Sequence, residues 1–386
     1  MTYFDNAATT FPKPAPVYAE VEKCIRSYCG NPGRGSHALS RAAAEKIFAC
    51  REETAALFGS NAPENVVFSL NTTTAINMAI KGLLRRGDHV LISNMEHNSV
   101  WRPIHRLASE GQIDYDIFET FSGSDRIPTP EEICREIQAK LRPKTKAVIC
   151  SHASNICSAA LPLAEIGALC RSRGIFFIVD AAQSAGHMPI DIEKMKIDLL
   201  CAPGHKGLYG IQGCGILVLA PGIELDTLTE GGNGVHSLDP DMPAISPERY
   251  ESGTLPTPAI AGLCEGIRFI RRIGIDTVAA HEQRLYKRLR EMLIGTQGVK
   301  VYAPQFVGST LLFSVDGMPS DAVGRALDAR GFCVRCGFHC SALGHQTLQT
   351  PESGAVRVSF GYFNHPSEVE RFYRALREIM RENTTF

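Results

Sequence analysis

Between residues 60 and 220 the chain repeats one pattern, a short apolar run followed by an amphipathic stretch. The runs are Val66-Val67-Phe68, Val90-Leu91-Ile92, Ala147-Val148-Ile149, Phe176-Phe177-Ile178-Val179, Leu199-Leu200 and Ile216-Leu217-Val218-Leu219. Runs this short, without polar alternation, read as strands buried on both faces, which requires helices laid over both sides of a parallel sheet. The pattern therefore predicts an α/β fold with a mostly parallel sheet. Two crossover helices are well signalled: Thr72, Thr73 and Thr74 can cap a helix over 75–80 that closes near Gly82 and Gly87, and Pro162 opens another over 163–169.

Beyond about residue 258 the texture changes to longer charged helices over 284–292 and 366–380, with strands over 309–315 and 356–360, as in a smaller α+β domain. The expected organisation is an N-terminal segment (1–20) near the site, a large domain (21–258) and a small C-terminal domain (259–386). The Gly/Pro-rich stretch over 230–258 reads as a long ordered excursion, a kind usually tied to function. With 40 Lys+Arg against 41 Asp+Glu, the net charge is −1. No basic excess is available for phosphate backbones, so nucleic acid is not an expected partner. No apolar stretch approaches 18 residues and no signal peptide is legible at the N-terminus, so no membrane association is expected. Thirteen cysteines, scattered from Cys24 to Cys340 without framework spacing, fit reduced thiols in a cytoplasm.

In an open parallel sheet a ligand sits beyond the carboxyl ends of the strands, so the residues immediately after each apolar run decide the chemistry. Residues 66–70 lead into Asn71-Thr72-Thr73-Thr74, 90–93 into Glu96-His97, 147–150 into Ser151-His152-Ala153-Ser154-Asn155, 176–179 into Asp180-Ala181-Ala182-Gln183, and 199–202 into Pro203-Gly204-His205-Lys206. Five polar strand ends should converge on one place. Hydroxyls at a helix start, with a His beside Lys206, suit a phosphate. Asp180 can pair with a protonated ring nitrogen, and Lys206 can hold an aldehyde covalently. Pyridoxal 5'-phosphate needs such a set, because its pyridinium is an electron sink and its aldehyde is carried on a lysine.

Five segments carry a family resemblance: Tyr3-Phe4-Asp5-Asn6-Ala7-Ala8-Thr9-Thr10, Glu96-His97-Asn98-Ser99, Val179-Asp180-Ala181-Ala182-Gln183, Gly204-His205-Lys206-Gly207 and Arg335-Cys336-Gly337-Phe338-His339-Cys340. Together they resemble the class V, fold-type I aminotransferase superfamily. Within it the chain is most similar to cysteine desulfurases of the Suf-like second group, which include selenocysteine-lyase-like members. The resemblance runs from residue 3 to about 365 and implies a large domain built on a mostly parallel seven-stranded sheet.

Carried over position by position, it implies Lys206 as the cofactor-bearing lysine, Asp180 as partner of the pyridine nitrogen, and His97 stacked on the ring and assisting proton transfer at the substrate thiol. Gln183 would bond the ring hydroxyl. Thr72, Thr73 and His205 would bind the phosphate, joined by Thr254 from the other subunit of a homodimer. Asn155 and Arg357 would hold the substrate carboxylate. Cys340, on a loop entered by the substrate-side Arg335, would be the persulfide-forming nucleophile. The implied reaction turns L-cysteine, or L-selenocysteine, into L-alanine and passes sulfur to an acceptor protein, as in iron–sulfur cluster assembly. Two departures concern the phosphate: Pro203 stands where many relatives have Ser, and Asn71-Thr72-Thr73-Thr74 replaces a Gly-Thr-Thr-Glu-like turn.

Plainer readings exist for single residues. Thr72 to Thr74 can simply cap a helix, Asp180 can cap a turn, and Arg357 can face solvent from its alternating strand. Most free cysteines are small core hydrophobes. Cys340 differs because Arg335, Gly337 and His339 give it a cationic, flexible setting that favours a thiolate. A rival reading takes Cys333-x2-Cys336-x3-Cys340 with His339 or His345 as ligands of zinc or an iron–sulfur cluster in a carrier protein. Within the resemblance, selenocysteine cleavage, other lyase chemistry and transamination are alternatives, since all share the cofactor site.

Overall fold

The computed structural model describes residues 1–33, 35–121 and 126–384. The chain runs β1 (Thr2–Tyr3), α1 (Ala15–Ser27), α2 (Ala38–Leu57), β2 (Val66–Ser69), α3 (Thr72–Leu83), β3 (His89–Ser93), α4 (Asn98–Ser109), β4 (Asp114–Phe118), α5 (Pro130–Lys140), β5 (Thr145–Ser151), α6 (Leu163–Ser172), β6 (Phe176–Asp180), β7 (Leu199–Pro203) and β8 (Gly215–Leu219). After a long excursion come α7 (Thr257–Ile273), α8 (Ile275–Ile294), β9 (Val299–Tyr302), β10 (Thr310–Val315), α9 (Ser320–Asp328), β11 (Phe332–Cys333), β12 (Arg335–Gly337), α10 (Ala342–Leu348), β13 (Ala355–Ser359) and α11 (Pro366–Thr384). The boundaries expected at 20 and 258 fall inside α1 and α7.

Seven strands form the large sheet in the order β2-β8-β7-β6-β5-β3-β4. β7, β6, β5, β3 and β4 pair in parallel, while β8 runs antiparallel between β2 and β7. Every residue of β3, β7 and β8 is buried, which explains their uninterrupted apolar character. Successive side chains serve opposite cores, as the pleat demands. Val66, Phe68, Val148, Phe177, Val179 and Leu200 face one; Val67, Val90, Ile149, Ile178 and Leu199 face the other. β4 escapes the apolar-run pattern because it is the edge strand, and its Asp114-Tyr115-Asp116 stretch is partly open to solvent.

The second unit is a four-stranded antiparallel sheet, β12-β13-β10-β9, over a core that includes Leu285, Leu311, Phe313, Val358 and Phe372. Two short strands follow α9: β11 pairs in parallel with β1, and β12 pairs with β13. The N-terminus is thus pinned to the C-terminal unit, where Phe4 packs edge-on against Phe360 and Phe372. No helix among the described residues is long and apolar enough to cross a membrane.

The excursion between β8 and α7 is tied to the large sheet by a buried ion pair. Arg51 of α2 donates to both carboxylate oxygens of Glu251, at 2.8 and 2.5 Å. The Phe68 amide also donates to Glu251, at 2.6 Å, and the guanidinium lies over the Phe68 ring. Removing one partner of such a pair strands a buried charge, whereas removing both does not. Glu251→Ala should lower the unfolding free energy by about 3–5 kcal/mol, measured by urea denaturation, and Arg51→Met combined with Glu251→Leu should recover most of the loss.

Candidate active site

Parallel strands joined by helices send every strand-to-helix turn out of the same sheet edge, and there the turns enclose a cleft of about 530 Å³. Asn71, Thr72 and Thr73 after β2, His97 after β3, Asn155 after β5, Asp180 and Gln183 after β6, and Pro203, His205 and Lys206 after β7 all line it. The five strand ends singled out in the sequence do meet.

One wall fits an anion. α3 is capped not by a threonine but by Asn71, whose Oδ1 accepts the Thr74 amide at 3.0 Å. Asn71 can sit so tightly because Gly215 of β8 faces it, where a Cβ would come within 2.4 Å of the Asn71 carbonyl carbon. Among the buried polar atoms with no hydrogen-bond partner among the described residues are Thr72 Oγ1 and His205 Nδ1, and both residues line this wall. Orphaned polar atoms beside a helix N-terminus make a cup that a phosphate would fit. Pro203 ends β7 here and contributes no hydroxyl.

The opposite wall fits a cationic ring. Asp180 is 3 % exposed and accepts the Ala182 amide at 2.9 Å; no ion pair among the described residues engages it. Burial holds its carboxyl above the usual range, opposed by that amide and by the charge of Lys206. An arriving pyridinium would supply the missing cation. Lys206 sits in the turn after β7, and burial, reinforced by Arg357 and Arg335 and opposed by Asp180, pushes its amine down to about 8. His97 accepts the Ser99 amide on Nδ1 at 3.0 Å, so its proton resides on Nε2. Burial and the neighbouring cations push this ring down to about 4 and keep it neutral. Gln183 Nε2 donates to the Ala7 carbonyl at 3.0 Å.

Arg357, Arg335 and Cys340 lie around this cleft rather than in its lining. Arg357 of β13 is 1 % exposed; it pairs with Asp5 at 2.8 Å and donates to the Asn155 carbonyl at 3.1 Å. Asn155 Nδ2 donates to the His339 carbonyl at 2.8 Å. Cys340 is exposed, with Arg335 Nη2 3.8 Å from its sulfur. Its carbonyl accepts the Asn98 amide at 2.8 Å, which fastens the cysteine loop to the residue after His97. His339 and Cys340 both have positive φ, a conformation that costs energy for residues with a Cβ and gathers at functional loops. Thr254 is exposed on another face. There it edges a groove of about 1570 Å³ shared with Ile47, Phe48 and Ile245.

Three features of this site were not legible beforehand. Glu96, fully buried, accepts from Ser93 Oγ, from the Ser151 amide at 2.8 Å and from Ser151 Oγ at 3.0 Å. It joins the ends of β3 and β5, and burial pushes it up to about 7; its position beside His97 was the only clue. Asp5, read only as part of a motif, is the counter-ion of Arg357. His345 completes a chain behind the cysteine loop: Thr350 Oγ1 lies 2.8 Å from His345 Nδ1, His345 Nε2 3.1 Å from His339 Nδ1, and His339 Nε2 3.1 Å from the Arg335 carbonyl. A carbonyl only accepts, so each proton points along the chain toward Arg335 and both rings are neutral. Burial pushes them to about 2 and about 4. Cys336 packs against Gly324, where a Cβ would lie 2.5 Å from its sulfur. Among the described residues no group of three or more His, Cys, Asp or Glu is placed to hold a metal.

Comparison with known proteins agrees with this architecture. A probable cysteine desulfurase of Methanothermobacter thermautotrophicus is 32 % identical over 385 residues, spanning 98 % of this chain and 94 % of that protein. One from Pyrococcus abyssi is 31 % identical over 391 residues, spanning 98 % and 94 %. The apo structure of a cysteine desulfurase from Thermococcus onnurineus superposes with a TM-score of 0.89 at 30 % identity, over 99 % of this chain and 95 % of that one. The family model for class-V aminotransferases matches residues 2–372, and with the cleft built as described, the chain belongs to the class-V aminotransferase family.

Proposed function

We propose that the protein is a pyridoxal-phosphate-dependent cysteine desulfurase that converts L-cysteine to L-alanine and leaves the sulfur as a persulfide on Cys340. The observation that carries this reading is the pairing of an anion cup, a buried unpaired Asp180 and Lys206 in one cleft with an exposed thiol on a strained loop fastened next to His97. Thr72, Thr73 and His205 would hold the phosphate, Asp180 the ring nitrogen and Lys206 the aldehyde. When bound, the cofactor supplies an electron sink for the substrate's Cα and Cβ.

The residues of the chain do the rest. Arg357 and Asn155 bind the substrate carboxylate, and the neutral Lys206 amine takes the α-proton. The neutral His97 handles the proton at the substrate thiol. The Cys340 thiolate, beside the Arg335 guanidinium, attacks the substrate sulfur. An S–S bond to Cys340 forms, the Cβ–S bond breaks and Cβ takes up a proton, so alanine and a persulfide balance cysteine and a thiol. Exposed Phe338 beside exposed Cys340 supports docking of a sulfur-acceptor protein there, and thirteen unpaired thiols fit the cytoplasm.

The groove around Thr254 supports a homodimer, with each Thr254 reaching the neighbour's phosphate cup. Phe48 and Ile245 are 51 % and 65 % exposed there, a poor arrangement for a lone chain in water.

Three measurements test the reading. Alanine formation from L-cysteine with a reductant present should be lost in both Cys340→Ala and Lys206→Ala, yet Cys340→Ala should stay yellow and Lys206→Ala should not. Full activity in Cys340→Ala, or pyruvate as product, would favour a selenocysteine-lyase-like or other lyase reading instead. Because only the neutral amine attacks an aldehyde, covalent cofactor capture by stripped protein should speed up with pH to about 8 and then level off. In sedimentation, wild type should run at twice the chain mass, whereas Phe48→Glu should run as a monomer that retains cofactor poorly.

A further inference from the structure

Lys13 lies between β1 and α1, 8 % exposed, and no carboxylate among the described residues pairs with it. Buried ammonium groups ordinarily have a counter-ion. Here burial alone pushes the amine down to about 7. Its two hydrogen bonds go to Thr10 Oγ1 at 2.7 Å and to the His205 carbonyl at 2.6 Å. That carbonyl is crowded, with the Thr10 amide at 3.2 Å, Thr9 Oγ1 at 3.1 Å and Thr10 Oγ1 at 3.3 Å also directed at it. Thr10 Oγ1 further reaches the Lys206 carbonyl at 3.0 Å. An oxygen has two lone pairs, so the donors compete; the Lys13 amine, at 2.6 Å, is the shortest and dominates.

The carbonyl of His205 and the amide of Lys206 belong to one rigid peptide plane. Whatever grips that oxygen sets the direction in which the His205 ring and the Lys206 side chain leave the backbone. Stability does not account for a lysine at this spot, since burying its amine without a counter-ion costs free energy that an apolar chain would not.

We propose that Lys13 is a positioning residue of the cofactor site, its amino group clamping the His205–Lys206 peptide so that the Lys206 amine and the His205 ring face the cleft. The inference rests on the pyridoxal phosphate reading above. Its test strips the full-length protein of cofactor, adds back pyridoxal phosphate and follows the yellow absorbance, alongside the thermal midpoint of the stripped protein. Lys13→Met should capture the cofactor about tenfold more slowly, the loss expected for one buried hydrogen bond. It should also shift the pH midpoint of the bound absorbance while leaving the thermal midpoint equal to wild type or higher. Lys13→Arg should restore most of the rate, and Thr10→Val, which removes the shared hydroxyl, should reproduce part of the defect. Capture by Lys13→Met at the wild-type rate with an unshifted midpoint overturns the clamp. So does a slow capture that comes with a lowered thermal midpoint and no rescue by arginine. Wild-type protein that stays colourless with pyridoxal phosphate overturns the cofactor reading and the clamp together.

Discussion

Parallel pairing of β7, β6, β5, β3 and β4 is the constraint on which the rest of this structure depends. Each parallel strand must be followed by a crossover that returns the chain to the opposite edge. Every turn leaving a strand therefore emerges on one side, and residues more than a hundred positions apart are delivered to the same cleft. Asn71, His97, Asn155, Asp180 and Lys206 owe their proximity to this handedness and to nothing local. The antiparallel β8 does not interrupt it, because its Gly215 end makes room for the backbone at Asn71.

Electrostatically the cleft is incomplete. Among the described residues Asp180 is buried without an ion pair and Thr72 Oγ1 and His205 Nδ1 without hydrogen-bond partners, and Lys206 and His97 are both held toward their neutral forms by burial and nearby cations. Each is costly for a folded chain by itself. A single ligand carrying a protonated ring nitrogen and a phosphate dianion relieves the first two together, and the neutral amine and imidazole are then the forms that can take up protons. By contrast, Glu96 and the His339–His345 pair are buried polar groups whose hydrogen bonds stay within the protein. They brace the strand ends and the cysteine loop.

How much of this was readable depended on range. The apolar runs disclosed most large-sheet strands because burial on both faces leaves a direct compositional trace; β4 was missed because an edge strand keeps polar residues. Asp180, Gln183, His205 and Lys206 were readable because they come directly after such runs. Thr72 to Thr74 were correctly placed at a helix start, but the cap proved to be Asn71, whose side chain reaches forward to the Thr74 amide. Asp5 was read only as part of a motif, Lys13 gave no signal and His345 was read only as a candidate metal ligand. Their partners, Arg357, the His205 carbonyl and His339, are set by the packing of the N-terminal segment and the small sheet, and no spacing rule connects residue 13 to residue 205.

Taken by itself, the sequence determined the fold class, the order of strands along the chain and the identity of the groups at the sheet edge, since those depend on periodicity and on the next few residues along the backbone. Only the tertiary structure decided which of those groups lack partners, which are already engaged and where Thr254 stands. It shows Arg357 already occupied by Asp5, Cys340 fastened by the Asn98 amide, and Thr254 on a surface away from its own cleft. Burial and hydrogen-bond partnership are properties of three-dimensional neighbours, and the same Asp, Lys or His changes charge state and role with the company that folding provides.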